Sequence, residues 1–177
     1  VRPVGLAVAA CVVAMLAAGC NAGVMNSASA TGVSPAAAPD GIAGRPAKFG
    51  ERRTVSSGSL MITVLAPKSF VPGDTAYPQS PRAAAFEIAL ENQGSRTYRA
   101  AQLVVRATGP AGSSVDPVVD KAQGYAGGVS GDAEVPPGKS IRLTFAFAVP
   151  ADPIDLMVTV QPDIATAGDR AEFEGVS

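Results

Sequence analysis

The chain of 177 residues contains no histidine and no tryptophan, and only two cysteines. Without histidine there is no Ser-His-Asp or Cys-His nucleophile system, and no imidazole site for zinc or copper. The missing tryptophan and paired cysteines exclude the buried Trp and inter-sheet disulfide of antibody domains. Basic residues are also sparse: 14 Lys and Arg are scattered among 15 Asp and Glu, giving a net charge of −1. Neutralising several phosphates of a nucleic acid takes several cations on one face. No such run occurs in the sequence, so no nucleic-acid partner is expected.

What the chain does have is a charge-free apolar run, Val4 to Ala18, that follows Arg2 and ends in Leu16-Ala17-Ala18-Gly19-Cys20. About 15 apolar residues are short for a span that needs roughly 20, and they have the length and flank of an export leader. Small residues before a cysteine admit the backbone to a peptidase in extended form, and the thiol can then take a diacylglycerol. The segment resembles a bacterial lipoprotein signal peptide with its lipobox, although Ala17 stands where Leu is commonest. Residues 1–19 are accordingly expected to be the leader and Cys20 the lipidation site. The protein would then sit on the extracytoplasmic face of the cell membrane, held there through Cys20. Cys11 would leave with the leader and lipid would consume Cys20, so no disulfide can form.

From Asn21 to Lys48 the composition is mainly Ala, Ser, Gly, Pro, Asn and Thr, with almost no large apolar residue. Such a segment buries too little to offset its ordering entropy and is expected to be a disordered linker over 20–48. As a flexible coil of about 28 residues it would reach roughly 30 Å. Ser27, Ser29, Thr31 and Ser34 are candidate acceptors of O-linked sugar, against the plainer reading of a flexible tether.

From Phe49 onward the apolar residues alternate with a period of two. Leu60, Ile62 and Val64 share one face of a strand. Phe86, Ile88 and Leu90 share another, as do Ile141 to Val149 at odd positions and Ile154 to Val160 at even positions. Leu103 and Val105 make a weaker fifth. Asn92-Gln93-Gly94-Ser95 is expected to close a hairpin. Pro136-Pro137-Gly138 precedes the strongest strand, and Pro150 and Pro153 end it. The expectation for 49–177 is an all-β, immunoglobulin-like two-sheet β-sandwich of about seven or eight strands. About 17 inward apolar side chains supply its core. Two stretches, 67–81 and 115–135, are long for loops in a compact domain.

The order of Met61-Ile62-Thr63-Val64, Phe86 to Gly94, Val135 to Ser140 and Phe145 to Pro150 resembles a particular family. It is the telokin-like, immunoglobulin-like domain of unknown function carried by Gram-positive lipoproteins and secreted actinobacterial antigens. The resemblance spans roughly residues 49 to 175 and rests on turns and core positions. It implies a non-enzymatic, extracellular role in contact with envelope or host molecules.

Candidate chemistry is thin, and neither a catalytic residue nor a cofactor is implied. Glu87 and Glu91 share the outward face of one strand, and carboxylate pairs serve glycoside hydrolysis. The plainer reading is a solvated sheet face. Asp116, Asp120, Asp132 and Glu134 flank a glycine-rich loop and could gather around Ca²⁺, which wants several oxygens, but the spacing matches no calcium loop, so no metal site is assigned. Asp152 and Asp155 shape the turn around Pro153. Met61, Met157 and Leu65 have outward parity and are candidates for an apolar surface patch, unless loops cover them. The sequence therefore points to a lipid-anchored binding module for an envelope or extracellular protein. The alternative is a carrier of a small apolar ligand held between the sheets.

Overall fold

The computed structural model describes residues 44–55, 59–166 and 168–177. Cys20, the expected leader and all but the end of the expected linker lie outside the described residues. The described residues form twelve strands, seven of them four or more residues long. No α-helix occurs among the described residues, and none of their helices is long and apolar enough to cross a membrane.

The fold is the expected β-sandwich. One sheet has the order β10-β5-β3-β2, built from β10 (Ser140–Val149), β5 (Arg82–Asn92), β3 (Leu60–Val64) and β2 (Arg52–Val55). A short β4 (Lys68–Phe70) continues beside β5 at Ala83 to Ala85 where β3 has ended. The other sheet runs β1-β12-β11-β7-β8, from β1 (Ala47–Lys48), β12 (Ala171–Val176), β11 (Asp155–Gln161), β7 (Val104–Thr108) and β8 (Ser114–Val115). A separate pair joins β6 (Tyr98–Arg99) to β9 (Glu134–Val135). The chain crosses between the sheets after β5, returns as β10 and crosses again to β11, which is immunoglobulin-type connectivity.

Alternation sets the core. β5 and β10 pair over ten residues, from Ser140 opposite Glu91 to Val149 opposite Arg82. Phe86, Ile88 and Leu90 from β5 meet Leu156, Val158 and Val160 from β11 and Phe173 from β12, all buried. Phe86 packs edge-on against Phe49 at 5.2 Å and Phe147 at 6.1 Å between centroids, the offset geometry that ring quadrupoles favour. Gly175 is required beneath Phe49: a Cβ there would lie 2.5 Å from the ring.

Three details differ from the sequence reading. Ala47 and Lys48, assigned by composition to the linker, form β1 and pair in parallel with Phe173 and Glu174, with Ala47 buried. A two-residue strand is too short for any periodicity to reveal. β12 shows only two inward residues, Ala171 and Phe173, before Gly175 interrupts it. The turn at Asn92 to Ser95 closes no hairpin, because the next strand, β6, pairs with β9 instead of β5. Asn92 is nevertheless the organiser there. Its side-chain oxygen accepts from the Gly94 N–H at 3.0 Å, and its amide donates to the carbonyls of Arg96 and Val135, both at 2.7 Å.

Replacing Phe86 with Ala removes the ring on which two others lean. The expected cost is about 3–5 kcal/mol, read as a fall in the urea midpoint at unchanged slope. A loss below about 1 kcal/mol would mean that the core is not centred on this ring.

Tyr98 offers a pH-dependent check. Its hydroxyl donates to the Pro162 carbonyl at 2.7 Å. Burial first, and then the Asp163 carboxylate, push the phenol above its ordinary value. Unfolded tyrosine ionises near pH 10 while the folded group stays protonated, so this contribution is full below about pH 10 and is lost as pH rises further. Tyr98→Phe is expected to cost about 1 kcal/mol at neutral pH and to flatten the alkaline fall in Tm. Parallel Tm–pH curves for the two proteins would contradict it.

Candidate functional site

The two long stretches singled out in the sequence meet on the outer face of the β5–β10 sheet. That face is floored by small side chains, Ala83 and Ala85 on β5 with Ala146 and Ala148 on β10, which let covering backbone approach closely. The Val118 N–H donates to the Ala146 carbonyl and the Ala148 N–H to that of Asp116, both at 2.8 Å. Residues 116–118 thus extend the sheet beyond β10, with Pro117 bridging to Phe147. Tyr77 and Val119 bridge in turn by two backbone bonds of 2.9 and 2.8 Å, which brings in the 67–81 stretch. Val118, Ala76, Ala83, Ala85 and Ala146 form a second buried cluster under the stacked rings of Phe70 and Tyr125, 4.4 Å apart.

Asp120 holds the two stretches together. It is fully buried, and its carboxylate accepts from the Gly73 N–H at 2.8 Å, the Gln123 N–H at 3.2 Å and the Gln123 side-chain amide at 2.9 Å. The Gln123 amide also donates to the Val71 carbonyl at 3.0 Å. Gln79 closes the 67–81 stretch on itself by donating to the Gly73 and Ala76 carbonyls. Beside this clasp lies a groove of about 330 Å³, lined by Leu65, Lys68, Glu87, Gln123 and Tyr125 among others.

The residues proposed from sequence fall apart as a reaction centre. Glu87 is bonded to Arg142, while Glu91 accepts from the Gln93 amide at 3.4 Å. Four residues along a strand place these two about 13 Å apart, beyond the separation of a working carboxylate pair. Of the four acids considered for Ca²⁺, Asp120 is turned inward to the clasp. Asp132 accepts from the Ser130 hydroxyl, which lowers its pKa, and Glu134 lies 3.9 Å from Arg99. Among the described residues no group of three or more such side chains gathers. Asp152 and Asp155 flank the turn, where the Asp152 carbonyl accepts from Arg82 at 3.0 Å.

The apolar patch also needs correction. Met61 lies on β3 and Met157 on β11, in opposite sheets, so their outward faces look away from each other. The Met61 sulfur sits under the Arg52 guanidinium at 3.6 Å. Leu65 borders the groove beside Tyr125. Parity placed each residue correctly on its own strand, but sheet membership is invisible to it.

Arg82 was missed by the sequence reading. Its guanidinium donates to the carbonyls of Pro150 and Asp152 and to the hydroxyls of Ser69 and Ser177, tying β4 and the chain end to β5. An arginine at a strand start carries no signal for such long-range bonds.

No protein-family model matches the chain, and no curated protein sequence matches it. Among solved structures, the yjhA protein of Bacillus subtilis is similar at TM-score 0.54 and 15% identity, covering 72% of this chain and 98% of its own. An uncharacterized β-sandwich protein of Clostridium difficile 630 has TM-score 0.46 and 12% identity, over 77% of this chain and 98% of its own. The secreted protein MPT63 of Mycobacterium tuberculosis has TM-score 0.47 and 18% identity, over 74% and 97%. At these identities the first likeness speaks for fold alone.

Asp120→Ala removes the acceptor of the half-buried Gly73 N–H and of the Gln123 side-chain amide, while the Gln123 N–H keeps its 3.2 Å bond to the backbone carbonyl of Asp120. A loss of about 2–3 kcal/mol is expected, with limited proteolysis opening first within 67–81 and 115–135. Cleavage that begins elsewhere would show that the clasp is not what holds these stretches.

Proposed function

We propose that this is a lipid-anchored protein of the extracytoplasmic membrane face whose sandwich domain is a non-enzymatic binding module. The observation that carries the anchor is Cys20, placed directly after small residues that end an uncharged apolar run. Two or three acyl chains on one cysteine give stable attachment, since each buried methylene contributes about 0.8 kcal/mol. The segment between Cys20 and β1 then serves as the tether, and the domain meets an envelope or extracellular protein.

The binding reading is supported by how the polar groups are used. Glu87 and Asp120, carboxylates weighed above for catalysis and for Ca²⁺ respectively, are engaged in bonds that hold the fold. The clasped stretches at 67–81 and 115–135 form a shaped surface with exposed Val71 and Tyr77 at its margin. An apolar ligand carried between the sheets is the less favoured reading: Phe86, Ile88, Leu90, Phe147 and Phe173 are packed together in one buried cluster.

Metabolic labelling with palmitate tests the anchor. The wild-type chain, expressed in a bacterium that processes lipoproteins, is expected to take up label and sediment with membranes, and Cys20→Ser to carry none. An unlabelled wild-type protein, or label that persists in Cys20→Ser, would overturn the reading.

A further inference from the structure

A cleft of about 620 Å³ opens where the edge of β2 meets the beginning of β12. β2 ends its sheet, and β1 pairs with β12 only at Phe173 and Glu174, so the cleft occupies the gap beside Ala171 and Glu172. Four arginines line it, Arg45 just before β1, Arg52 and Arg53 on β2, and Arg170 just before β12. They come from three segments of the chain and from both sheets. No run of basic residues announces them, because Arg45 and Arg170 are 125 positions apart in the sequence.

Local bonds fix how they stand. Arg53 shares the parity of buried Val55, which turns it toward the mouth between the sheets, where it donates to the Arg45 carbonyl. Arg52 lies on the other face over the Met61 sulfur. Arg170 holds the one acid in the lining, Glu172, at 2.9 Å. Of the acids nearby, Glu174 pairs with Lys48 at 2.8 Å and also feels the charge of Arg45, Glu51 accepts from the Lys48 N–H at 2.9 Å, and Asp169 directly precedes Arg170. A guanidinium carries five N–H donors, so the Arg170 bond to Glu172 leaves others of that fork for a ligand. The charges of Arg45, Arg53 and Arg170 around one concavity also focus a positive field there.

We propose that this cleft binds a phosphate ester. Guanidinium forks match phosphate oxygens bidentately. Forks converging from both sheets suit a tetrahedral group better than a planar carboxylate, which is met from within one plane. The phosphate has two sources, the headgroup of an anionic phospholipid or a soluble phosphorylated molecule. The lipid source rests on the anchoring proposed above: Gly44 and Arg45, where the segment from Cys20 enters the domain, are themselves part of the lining. A tethered domain would then turn this end toward its own membrane.

The test uses the full chain carrying Cys20→Ser, so that no acyl chain contributes and the outcome is independent of lipidation. Tripolyphosphate is titrated calorimetrically, and sedimentation is measured with phosphatidylglycerol and with phosphatidylcholine vesicles. Binding to tripolyphosphate, or a preference for phosphatidylglycerol, is expected. It should weaken at least tenfold in Arg45→Ala/Arg170→Ala and less in Arg45→Lys/Arg170→Lys, which keeps the charge without the fork. The lysine pair also guards against a folding defect, since it preserves the bulk of both side chains. Vesicle preference without tripolyphosphate binding assigns the lipid source, and the reverse assigns the soluble one. A parent protein with no affinity for tripolyphosphate and no lipid preference would overturn the proposal. So would an alanine pair that binds as the parent does.

Discussion

The β5–β10 ladder is the constraint on which the rest of the molecule depends. Its ten paired positions carry large apolar side chains on one face and mostly small ones on the other toward the Val149 end. The large face makes the main core against β11 and β12. Ala83, Ala85, Ala146 and Ala148 on the other face make the floor on which residues 67–81 and 115–135 settle. Strand pairing has a period of two, so a slip of one residue would put Phe86 and Phe147 under the covering stretches and alanines in the core. One register therefore specifies both layers at once.

The domain holds its connections without a disulfide. Polar side chains at the ends of the strands take that role. Asn92 binds backbone from two other segments, Asp120 clasps two long stretches, Arg82 gathers the chain end, and Tyr98 reaches the Pro162 carbonyl. Buried polar groups of this kind rigidify a fold when every partner is present and are costly when one is lost. Among the described residues no buried side-chain nitrogen or oxygen lacks a partner.

Much of the architecture was legible in the sequence because the strands that build the core repeat their alternation over five to ten residues. Ile141 to Val149 and Ile154 to Val160 were placed on their correct faces. β1 and β12 were not, since Ala47–Lys48 has no period and Glu172 with Gly175 dilutes the pattern around Phe173. The sites were less legible than the strands. Asp120 was noticed for its charge, yet its role comes from burial and from Gly73, 47 positions away. The arginine cleft exists only after β2 and β12 have been brought together. Turn chemistry at Asn92 was recognised, but which strand follows a turn into which sheet is a tertiary outcome.

The central claim is that the β5–β10 pairing organises both the core and the covering stretches as one cooperative unit. Native-state amide hydrogen exchange tests it most directly. The amides of Phe86, Ile88, Phe145 and Phe147 are expected to exchange only through global unfolding, with Val118 and Val119 protected at nearly the same level. Exchange of Val118 and Val119 at the rate of an unprotected amide, while β5 and β10 stay closed, would contradict the account.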